Sequence, residues 1–360
     1  MGDERIKEFG LESLDRFVKY MPEPSKYMRR KITYAHREFE TIITQIAKKR
    51  PFAVVSGLNP SGPLHFGHKV IFDELLWLQK MGAEIYIPIT NDETYIVDKS
   101  DSLAESRKNA YEFVIPSIIA FGFDPKKTHI YVDSDYKDLY NFATYLSKKV
   151  TFNQAKAIFG LEDNIGSLYY RGAVQLAQIL LPQLEEFGGP KPTVVPVGID
   201  QDPYILLARD IAKKIDMIPP AGLYLNFLGG LDGGDKMSKS IPGSALFLTD
   251  NEKEVEEKIL DAFTGGGGSL KEHQENGGNT DVCVVYAMYK YHFADDNELD
   301  KICGACKNGK ICCGDCKKEL IGKINLYLKD HQAKMQEAKK RIPEFLLDTP
   351  IKSILDYQNE

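Results

Sequence analysis

Two histidines stand three residues apart in the motif His65-Phe66-Gly67-His68, between a short apolar stretch and an amphipathic segment. The amphipathic segment predicts a helix that begins at this motif. The first turn of a helix offers unpaired backbone N–H groups and the positive end of the helix dipole, so it favours phosphate. Imidazole N–H groups can donate further hydrogen bonds, and Gly67 permits close approach to the backbone. The motif predicts a nucleotide-phosphate site, although two histidines that merely cap a helix would give the same four letters.

A second polar cluster, Lys236-Met237-Ser238-Lys239-Ser240, lies about 170 residues downstream. It follows the glycine-rich stretch GGLDGGD, which predicts a loop. Two lysines with small hydroxyl residues between and beside them can close over a triphosphate and neutralise the charge of departing pyrophosphate. We therefore expect the two lysines to complete the phosphate site predicted at the histidines.

The cysteines form the third feature, because all six lie between residues 283 and 316. A disulfide framework is usually spread through a small secreted fold, whereas a cluster in a chain expected to be cytosolic indicates a metal site. Two C-x2-C pairs have the spacing of tetrahedral zinc ligands, and free thiols are the remaining alternative. The zinc ligands would be Cys303, Cys306, Cys313 and Cys316.

The elements that must position these residues follow from the pattern after Pro51, where short apolar stretches alternate with helical periodicity. This alternation predicts an α/β fold with a Rossmann-like parallel sheet and helices on both faces. Ligands of such sheets bind at the carboxyl ends of the strands. The predicted strands lie within residues 51–57, 83–90, 128–134 and 193–200, and the stretch 245–249 is the sheet's last apolar segment.

The chain is expected to contain three segments. Residues 1–50 are predicted to be an N-terminal helical extension with a helix from Tyr34 to Lys49, and residues 51–250 the catalytic domain with a helical insertion. Residues 251–360 are predicted to form an all-helical domain that contains the cysteines, and Thr249 with Glu252 a capping box before its first helix.

Composition narrows the class of protein. With 360 residues, 43% of them hydrophobic, the chain can bury a sizeable core. No apolar stretch approaches the roughly 18 residues of a membrane helix, and the charged opening lacks a signal peptide's apolar core, so we expect a cytoplasmic location. The net charge of −6 argues against general attraction to nucleic acid, yet residues 301–341 hold eleven Lys or Arg against four Asp or Glu.

HFGH and KMSKS, in this order on an alternating α/β pattern, resemble the paired motifs of class I aminoacyl-tRNA synthetases. Segments along nearly the whole chain further resemble tryptophanyl-tRNA synthetases of the archaeal and eukaryotic type. They are MRRKITYAHREF, VTFNQAKAIFGL, VGIDQDPY, FLTD, FTGG and EHQENGGNTDV. The resemblance implies a homodimer that activates tryptophan with ATP and transfers it to tRNA(Trp), with an anticodon-binding C-terminal domain.

The same resemblance implies the roles of individual residues. The phosphates would be bound by His65, His68, Lys236 and Lys239, with Mg2+, during in-line attack by the amino acid carboxylate on the α-phosphate. The rest of the ATP pocket would be Ser56, Gly57, Asn59, Ser61, Gly67, Met237, Ser238 and Ser240, with Gly198 and Asp200 at the ribose. The ammonium and carboxylate of the amino acid would contact Glu93, Gln175 and Gln201.

Recognition of the side chain departs from the family pattern. Eukaryotic tryptophanyl enzymes have a tyrosine and a glutamine where this chain has Val55 and Pro88, so both expected partners of the indole N–H are missing. We hypothesise that Gln178, one helical turn after Gln175, accepts this hydrogen bond with its amide oxygen. Archaeal-type tyrosyl enzymes have an aspartate at the corresponding helix position and a tyrosine near Val55. Tryptophan is therefore the favoured substrate and tyrosine the alternative.

Some tryptophanyl-tRNA synthetases hold a [4Fe-4S] cluster through cysteines spaced C-x22-C-x6-C-x2-C. Cys283, Cys306, Cys313 and Cys316 have this spacing. The cluster would need Cys283 and leave Cys303 idle, whereas zinc would do the reverse. Either metal would brace the basic segment 301–341 in the expected anticodon domain.

Two other functions fit parts of the pattern. A nucleotidyltransferase that adenylylates a small acid without tRNA would share the two motifs, but the basic C-terminal helices argue against it. A non-catalytic RNA-binding relative would have no need of intact histidines and lysines in both motifs.

Overall fold

The computed structural model describes residues 6–19, 21, 23–160, 164–266 and 268–356. The beginning of the predicted N-terminal segment and the end of the predicted C-terminal segment therefore lie outside the described residues. Two compact units divide the chain. The sheet unit comprises Met1–Gly62, Glu74–Asn226 and Lys339–Glu360, and the helical unit comprises Pro63–Asp73 and Phe227–Ala338. The functional boundaries after residues 50 and 250 remain a prediction.

The sheet unit is built on a seven-stranded sheet with the order β1-β2-β7-β6-β3-β4-β5. The five strands from β7 to β5 are parallel to one another, which confirms the predicted Rossmann-like fold. The chain builds outward from β3 to β5 and then crosses back to β6 on the other side of β3, and such a reversal is where α/β sheets bind ligands. The strands are β1 (Glu12–Ser13), β2 (Thr33–Arg37), β3 (Ala53–Val55), β4 (Glu84–Ile89), β5 (Thr128–Val132), β6 (Thr193–Val197) and β7 (Ala221–Leu225).

The parallel strands form because their sequences are continuously apolar. Every residue of β3 and β7 and all but the first residue of β4 are buried. Strands covered by helices on both faces have this composition, whereas a strand with one solvent-exposed face would alternate apolar and polar residues.

The N-terminal segment differs from its prediction. The helix expected from Tyr34 to Lys49 is wrong in its first part, because β2 occupies residues 33–37 and the helix spans Glu40–Lys48. β2 pairs antiparallel with β7 and with β1, so the sheet is mixed and the first 50 residues supply edge strands as well as helices. Pairing with a buried neighbour outweighs the helical periodicity of this stretch.

Two further expectations are wrong in detail. The sheet's last strand is β7, which was missed, and residues 245–249 lie outside the sheet. The helix after them is capped by Asn251, whose Oδ1 accepts from the backbone N of Glu254 at 3.1 Å while Glu254 Oε2 accepts from the backbone N of Asn251 at 2.8 Å. The capping box is therefore two residues later than Thr249 and Glu252.

The helices that cover the sheet connect its strands. A helix over Phe66–Lys80 begins at the histidine motif. The remaining α-helices outside the helical unit are Asp15–Val18, Lys26–Arg29, Glu40–Lys48, Asn91–Ile96, Leu103–Asn109, Ile115–Ala120, Asp138–Ser147, Phe152–Phe159, Ile165–Tyr169, Gln175–Leu180, Asp202–Lys214 and Ser353–Asp356. π-Helical turns at Ala110–Val114 and Tyr170–Val174 precede two of them.

The helical unit contains Glu252–Asp261, Leu270–Asn276, Val284–Met288, a π-helical turn at Tyr289–Phe293, Asp296–Lys307 and all but the last three residues of Cys313–Arg341. The last helix spans 29 residues, and its first turn carries two of the six cysteines. In the parts of the chain that the structure describes, no helix has both the length and the apolarity needed to cross a membrane.

A buried ion pair joins β2 to the helix Asp202–Lys214 within the sheet unit. Arg37 Nε donates to Asp202 Oδ1 at 3.0 Å and Arg37 Nη2 donates to Asp202 Oδ2 at 2.8 Å. The hydroxyl of Tyr224 also donates to Asp202, whose side chain is 1% exposed. The carboxylate therefore satisfies one nearly buried cation and one buried hydroxyl.

We expect Asp202→Ala to lower the free energy of unfolding by about 3–5 kcal/mol, because it leaves the Arg37 guanidinium without its buried partner. Urea-induced unfolding followed by circular dichroism measures this loss. Asp15→Ala is the control, since Asp15 pairs with Lys31 where both side chains are exposed, and it should cost less than about 1 kcal/mol. Equal losses in the two variants would show that the buried pair adds no stability.

Candidate active site

The histidine motif is held in the helical unit by a short antiparallel pairing. Phe66 N donates to Leu246 O at 3.0 Å, and Leu248 N donates to Leu64 O at 2.8 Å. His65 lies between these two bonds, opposite Phe247. The pairing fixes the backbone at the point where the helix begins.

The two imidazole rings are oriented by backbone N–H groups. Gly67 N donates to His65 Nδ1 at 3.1 Å, and His65 N donates to His68 Nδ1 at 3.1 Å. A ring nitrogen that accepts a hydrogen bond carries no proton, so the proton of each neutral ring is on Nε2. Each histidine therefore has an Nε2–H group available to donate to a ligand oxygen.

Burial keeps both rings neutral. Burial, together with the nearby Lys239 ammonium, lowers the pKa of His65 to about 3. Burial also lowers the pKa of His68 well below its ordinary value, with His65 and Lys239 as additional causes. The histidines act as neutral donors at physiological pH, and Lys239 supplies positive charge beside them.

The helical unit brings the KMSKS loop against this motif. A Cβ on Gly67 would lie 2.9 Å from His65 Nδ1, which is too close, and 3.6 Å from Met237 Cβ, which is ordinary contact, so the His65 ring favours glycine here and the loop lies directly beside it. Ser244 Oγ accepts from Ser238 N at 3.2 Å and donates to Ser238 O at 2.9 Å, which closes the loop on itself.

The side chains of the loop divide into anchors and solvent-facing groups. Met237 is 4% exposed and Ser244 is fully buried, so these two hold the loop in place. Lys236 and Ser240 are exposed, and Lys239 is half-buried. The hydroxyls of Ser238 and Ser240 lie 2.8 Å apart. A loop whose backbone is anchored and whose lysines point outward could contact an anionic ligand.

The residues predicted to line the ATP pocket after β3 lie in the sheet unit. A Cβ on Gly57 would stand 2.8 Å from Pro88 Cγ, so glycine is required where this turn crosses the end of β4. The hydroxyl of Ser56 donates to Pro196 O at 3.2 Å, and Ser61 N donates to Asn59 O at 2.9 Å. These bonds shape the turn that follows β3.

Asn59 and Glu93 meet above the ends of β3 and β4. With the Asn59 amide nitrogen facing the carboxylate, it donates to Glu93 Oε2 at 2.6 Å, and its oxygen accepts from Lys99 Nζ at 3.3 Å. Burial raises the pKa of Glu93, while Lys99 and the hydroxyl of Thr90 oppose this shift. A second cation beside Glu93, such as an amino acid ammonium, would stabilise its charged form.

Two glutamines of the helix Gln175–Leu180 carry polar atoms available to a ligand. Gln175 Oε1 is buried and has no hydrogen-bond partner among the described residues. Gln178 Nε2 donates to Asp133 Oδ2 at 2.6 Å and to the hydroxyl of Tyr170 at 2.9 Å. Both hydrogens of that amide nitrogen are used, so Gln178 Oε1 is the atom left to accept a bond.

The residues predicted at the ribose follow β6. Gly198, Asp200 and Gln201 share one 3₁₀ turn, Ile199–Gln201 with its preceding residue, at the carboxyl end of that strand. Gln201 Nε2 donates to Asp200 Oδ2 at 3.0 Å, and the Asp200 side chain is exposed. Gln201, predicted to contact the amino acid, is therefore hydrogen-bonded to Asp200, predicted at the ribose. Asn59 of the predicted ATP pocket is likewise hydrogen-bonded to Glu93 of the predicted amino acid contacts.

Asp133 and Tyr170, which hydrogen-bond to Gln178, and Asp92, which influences the pKa of Asp133, were not predicted from the sequence. Asp133 directly follows β5, and Asp92 lies in the helix after β4. A charged residue at the carboxyl end of a buried parallel strand is the signal that could have identified Asp133.

The six cysteines of the helical unit are free thiols, and five of them line one cavity. Its lining includes Cys283, Cys306, Cys312, Cys313 and Cys316, together with apolar side chains. Cys303 is not part of that lining, and its Sγ lies 3.9 Å from the hydroxyl of Thr280. Burial and the thiols of Cys283, Cys306 and Cys313 raise the pKa of Cys316 to about 12. A thiolate at this place would need a cation beside it.

Comparison with known proteins gives a consistent answer. The family described as tRNA synthetases class I (W and Y) matches residues 47–329. The tryptophan–tRNA ligase of Methanocaldococcus jannaschii is 43% identical over 93% of this chain and 92% of its own length. That of Pyrobaculum calidifontis is 40% identical over 96% and 94%. The crystal structure of the tryptophanyl-tRNA synthetase from Aeropyrum pernix has a TM-score of 0.90 and 36% identity, with 97% of this chain and 96% of that chain covered.

We expect His65 and His68 to stay neutral from pH 8 down to pH 5, with the proton on Nε2. Imidazole ¹H–¹⁵N correlation spectra measure both properties, and His65→Asn assigns the signals. An unfolded histidine binds a proton below about pH 6.5, whereas His65 does so only near 3, so the free energy of unfolding should fall as pH drops through that window. Titration of His65 near pH 6.5, or a proton on its Nδ1, would contradict the assignment.

Proposed function

The chain belongs to the class I tRNA synthetases of the tryptophan and tyrosine group, and we propose that it is a tryptophan–tRNA ligase. It would activate tryptophan with ATP to tryptophanyl-adenylate and pyrophosphate, and then transfer tryptophan to the 3′ end of tRNA(Trp). One observation carries the proposed chemistry. HFGH and KMSKS meet in the helical unit, with Gly67 against Met237 and Lys239 beside both histidines.

Activation requires charge stabilisation and positioning, because the amino acid carboxylate itself attacks the α-phosphate. The Nε2–H groups of His65 and His68 would donate to phosphate oxygens. Lys236 and Lys239 would neutralise the negative charge on the departing pyrophosphate. Mg2+ would hold the phosphates and supply further positive charge.

The remaining nucleotide and amino acid contacts that we propose are those that the family resemblance implies. Asp200 and Gly198 would bind the ribose, and Glu93 with Gln175 and Gln201 would bind the ammonium and carboxylate. Gln175 Oε1 supports this role, since it is a buried acceptor without a donor and an ammonium would supply one. The ATP pocket would be completed by Ser56, Gly57, Asn59, Ser61, Gly67, Met237, Ser238 and Ser240.

Gln178 would recognise the side chain of tryptophan. Its amide nitrogen is committed to Asp133 and Tyr170, so its oxygen can accept the indole N–H. Val55 and Pro88 carry no side-chain acceptor that could do this. Since tryptophan is the largest amino acid, a fitted pocket excludes smaller competitors and makes an editing site unnecessary.

Amino-acid-dependent ATP–pyrophosphate exchange tests the assignment. We expect exchange with tryptophan, and charging of tRNA(Trp) on addition of tRNA. Lys239→Met should reduce exchange by roughly 10²-fold or more, because it removes transition-state charge stabilisation. Lys253→Met, on the exposed face of the helix Glu252–Asp261, should leave the rate unchanged.

Three results would contradict this function in different ways. Preferential exchange with tyrosine would favour a tyrosyl-tRNA synthetase. Exchange without charged tRNA would favour an adenylylating nucleotidyltransferase. Absence of exchange with any amino acid would favour an RNA-binding relative without catalysis.

The cysteine cavity is proposed to hold a [4Fe-4S] cluster on Cys283, Cys306, Cys313 and Cys316. The cavity includes Cys283 and not Cys303, as the cluster requires and zinc does not. A single zinc ion with Zn–S bonds of about 2.3 Å holds its sulfurs roughly 3.8 Å apart. Among the described residues no three cysteine sulfurs lie within 4.8 Å of one another, which favours the larger group. When bound, the group would supply a structural brace between the segments that carry its ligands.

Replacement of single cysteines separates the two metals. We expect Cys283→Ala to lose iron and visible absorbance, because a ligand is removed, whereas Cys303→Ala should retain both as the matched control. Iron and zinc analysis of protein purified without oxygen, together with its visible spectrum, measures the outcome. A colourless Cys283→Ala protein that keeps one zinc, with zinc lost from Cys303→Ala, would establish zinc instead.

tRNA(Trp) is proposed to bind the basic segment 301–341, which lies mainly in the helices Asp296–Lys307 and Cys313–Arg341. The excess of positive charge there supports phosphate contacts, whose strength falls as salt is added. Unpaired anticodon bases would stack on aromatic or arginine side chains nearby. A homodimer in the cytoplasm is the form in which we propose that the enzyme acts.

A further inference from the structure

We propose that Asp133 is a positioning residue for substrate selection, because it fixes which end of the Gln178 amide faces the tryptophan ring. The inference rests on the proposed function, since it concerns how that site recognises the indole N–H. It adds a residue that no motif of the sequence identifies.

The amide of Gln178 is held at its nitrogen. Gln178 Nε2 donates to Asp133 Oδ2 at 2.6 Å and to the Tyr170 hydroxyl at 2.9 Å. All three side chains are almost completely buried, so water cannot replace either bond. Rotation of the amide by 180° would place its oxygen against Asp133 Oδ2, and two acceptors in contact repel.

The direction of the bond depends on where the proton of Asp133 lies. Asp133 is fully buried, and its Oδ1 has no hydrogen-bond partner among the described residues. Burial, reinforced by Asp92, raises the pKa of Asp133 well above its ordinary value. A proton on Oδ1 that is donated to Asp92 satisfies the orphan oxygen and leaves Oδ2 as an acceptor.

Asp92 is suited to receive that proton's hydrogen bond. Its Oδ2 accepts from the Tyr140 hydroxyl at 2.7 Å, and its Oδ1 accepts from the backbone N of Glu93 at 2.8 Å. These donors orient the carboxylate while its remaining lone pairs stay available. In the resulting series of hydrogen bonds, Asp133 Oδ1–H donates to Asp92, and Gln178 Nε2–H donates to Asp133 Oδ2. Its last member is Gln178 Oε1, which must accept from the ligand.

Because the oxygen of the Gln178 amide faces the ligand, the site distinguishes ligands that differ in one ring atom. An oxygen facing the ring attracts an indole N–H and gains nothing from a ring without that donor. If the Gln178 amide were flipped, its N–H would face the indole N–H, and the contact between two donors would weaken the binding of tryptophan. Sites built around one buried hydrogen bond reject analogues that lack the partner, because the protein group is left unpaired.

The test compares tryptophan with its 3-benzothienyl analogue, in which sulfur replaces the ring N–H. ATP–pyrophosphate exchange gives kcat/KM for both substrates with full-length wild-type enzyme and with Asp133→Leu, Asp133→Asn and Tyr170→Phe. Asp133→Leu has the shape of aspartate without its acceptor. Asp133→Asn can donate to Asp92 with its nitrogen and accept from Gln178 with its oxygen, so it mimics the protonated carboxyl group.

We expect Asp133→Leu to reduce the preference for tryptophan roughly 10- to 100-fold, through a lower kcat/KM for tryptophan and a nearly unchanged value for the analogue. Asp133→Asn should keep the preference within about threefold, and Tyr170→Phe should lose less than Asp133→Leu, because the Asp133 bond remains. Asp133→Ala serves as a second carboxyl-free variant, in case the leucine variant does not fold.

Two results would overturn the proposal. Equal losses for both substrates in the carboxyl-free variants would mean that Asp133 only supports the fold, and Asp133→Asn behaving like Asp133→Leu would exclude the shared proton. Failure of the proposed function is distinguishable from both, since the wild-type enzyme itself would then show no tryptophan-dependent exchange.

Discussion

Two hydrogen bonds from backbone N–H groups to histidine Nδ1 atoms determine what the HFGH motif can do. They place the proton of each ring on Nε2, and burial keeps the rings uncharged. The backbone N–H of Gly67 makes one of these bonds, and its missing Cβ leaves room for the His65 ring. A phosphate at this place would meet neutral donors from the histidines and positive charge from the neighbouring lysine loop.

The carboxyl ends of the parallel strands carry the polar residues that we propose as ligand contacts in the sheet unit. Gly57 and Asn59 follow β3, Glu93 follows β4, Asp133 follows β5 and Asp200 follows β6. These strands are mainly apolar because both faces of the sheet are covered, and the polar side chains available to a ligand lie where the strands end. The burial that requires apolar strands therefore also places the residues that could do chemistry at the carboxyl ends of those strands.

The sequence predicted those parts of the fold that depend on local pattern or on a motif. The apolar strands and the helix after the histidines were found, because periodicity and composition determine them. β2 was mistaken for a helix, since its conformation depends on pairing with β7, which is distant in the chain. Asp133 was missed for a related reason: its burial and its bond to Gln178 exist only after β5 and the helix Gln175–Leu180 have packed.

A crystal structure of the enzyme with tryptophan and a non-hydrolysable ATP analogue tests the central claim most directly. The account predicts a phosphate oxygen within about 3.2 Å of Nε2 of both His65 and His68, with each Nδ1 still accepting from the backbone. Phosphates bound away from both rings, or rings turned so that Nδ1 faces the nucleotide, would contradict it.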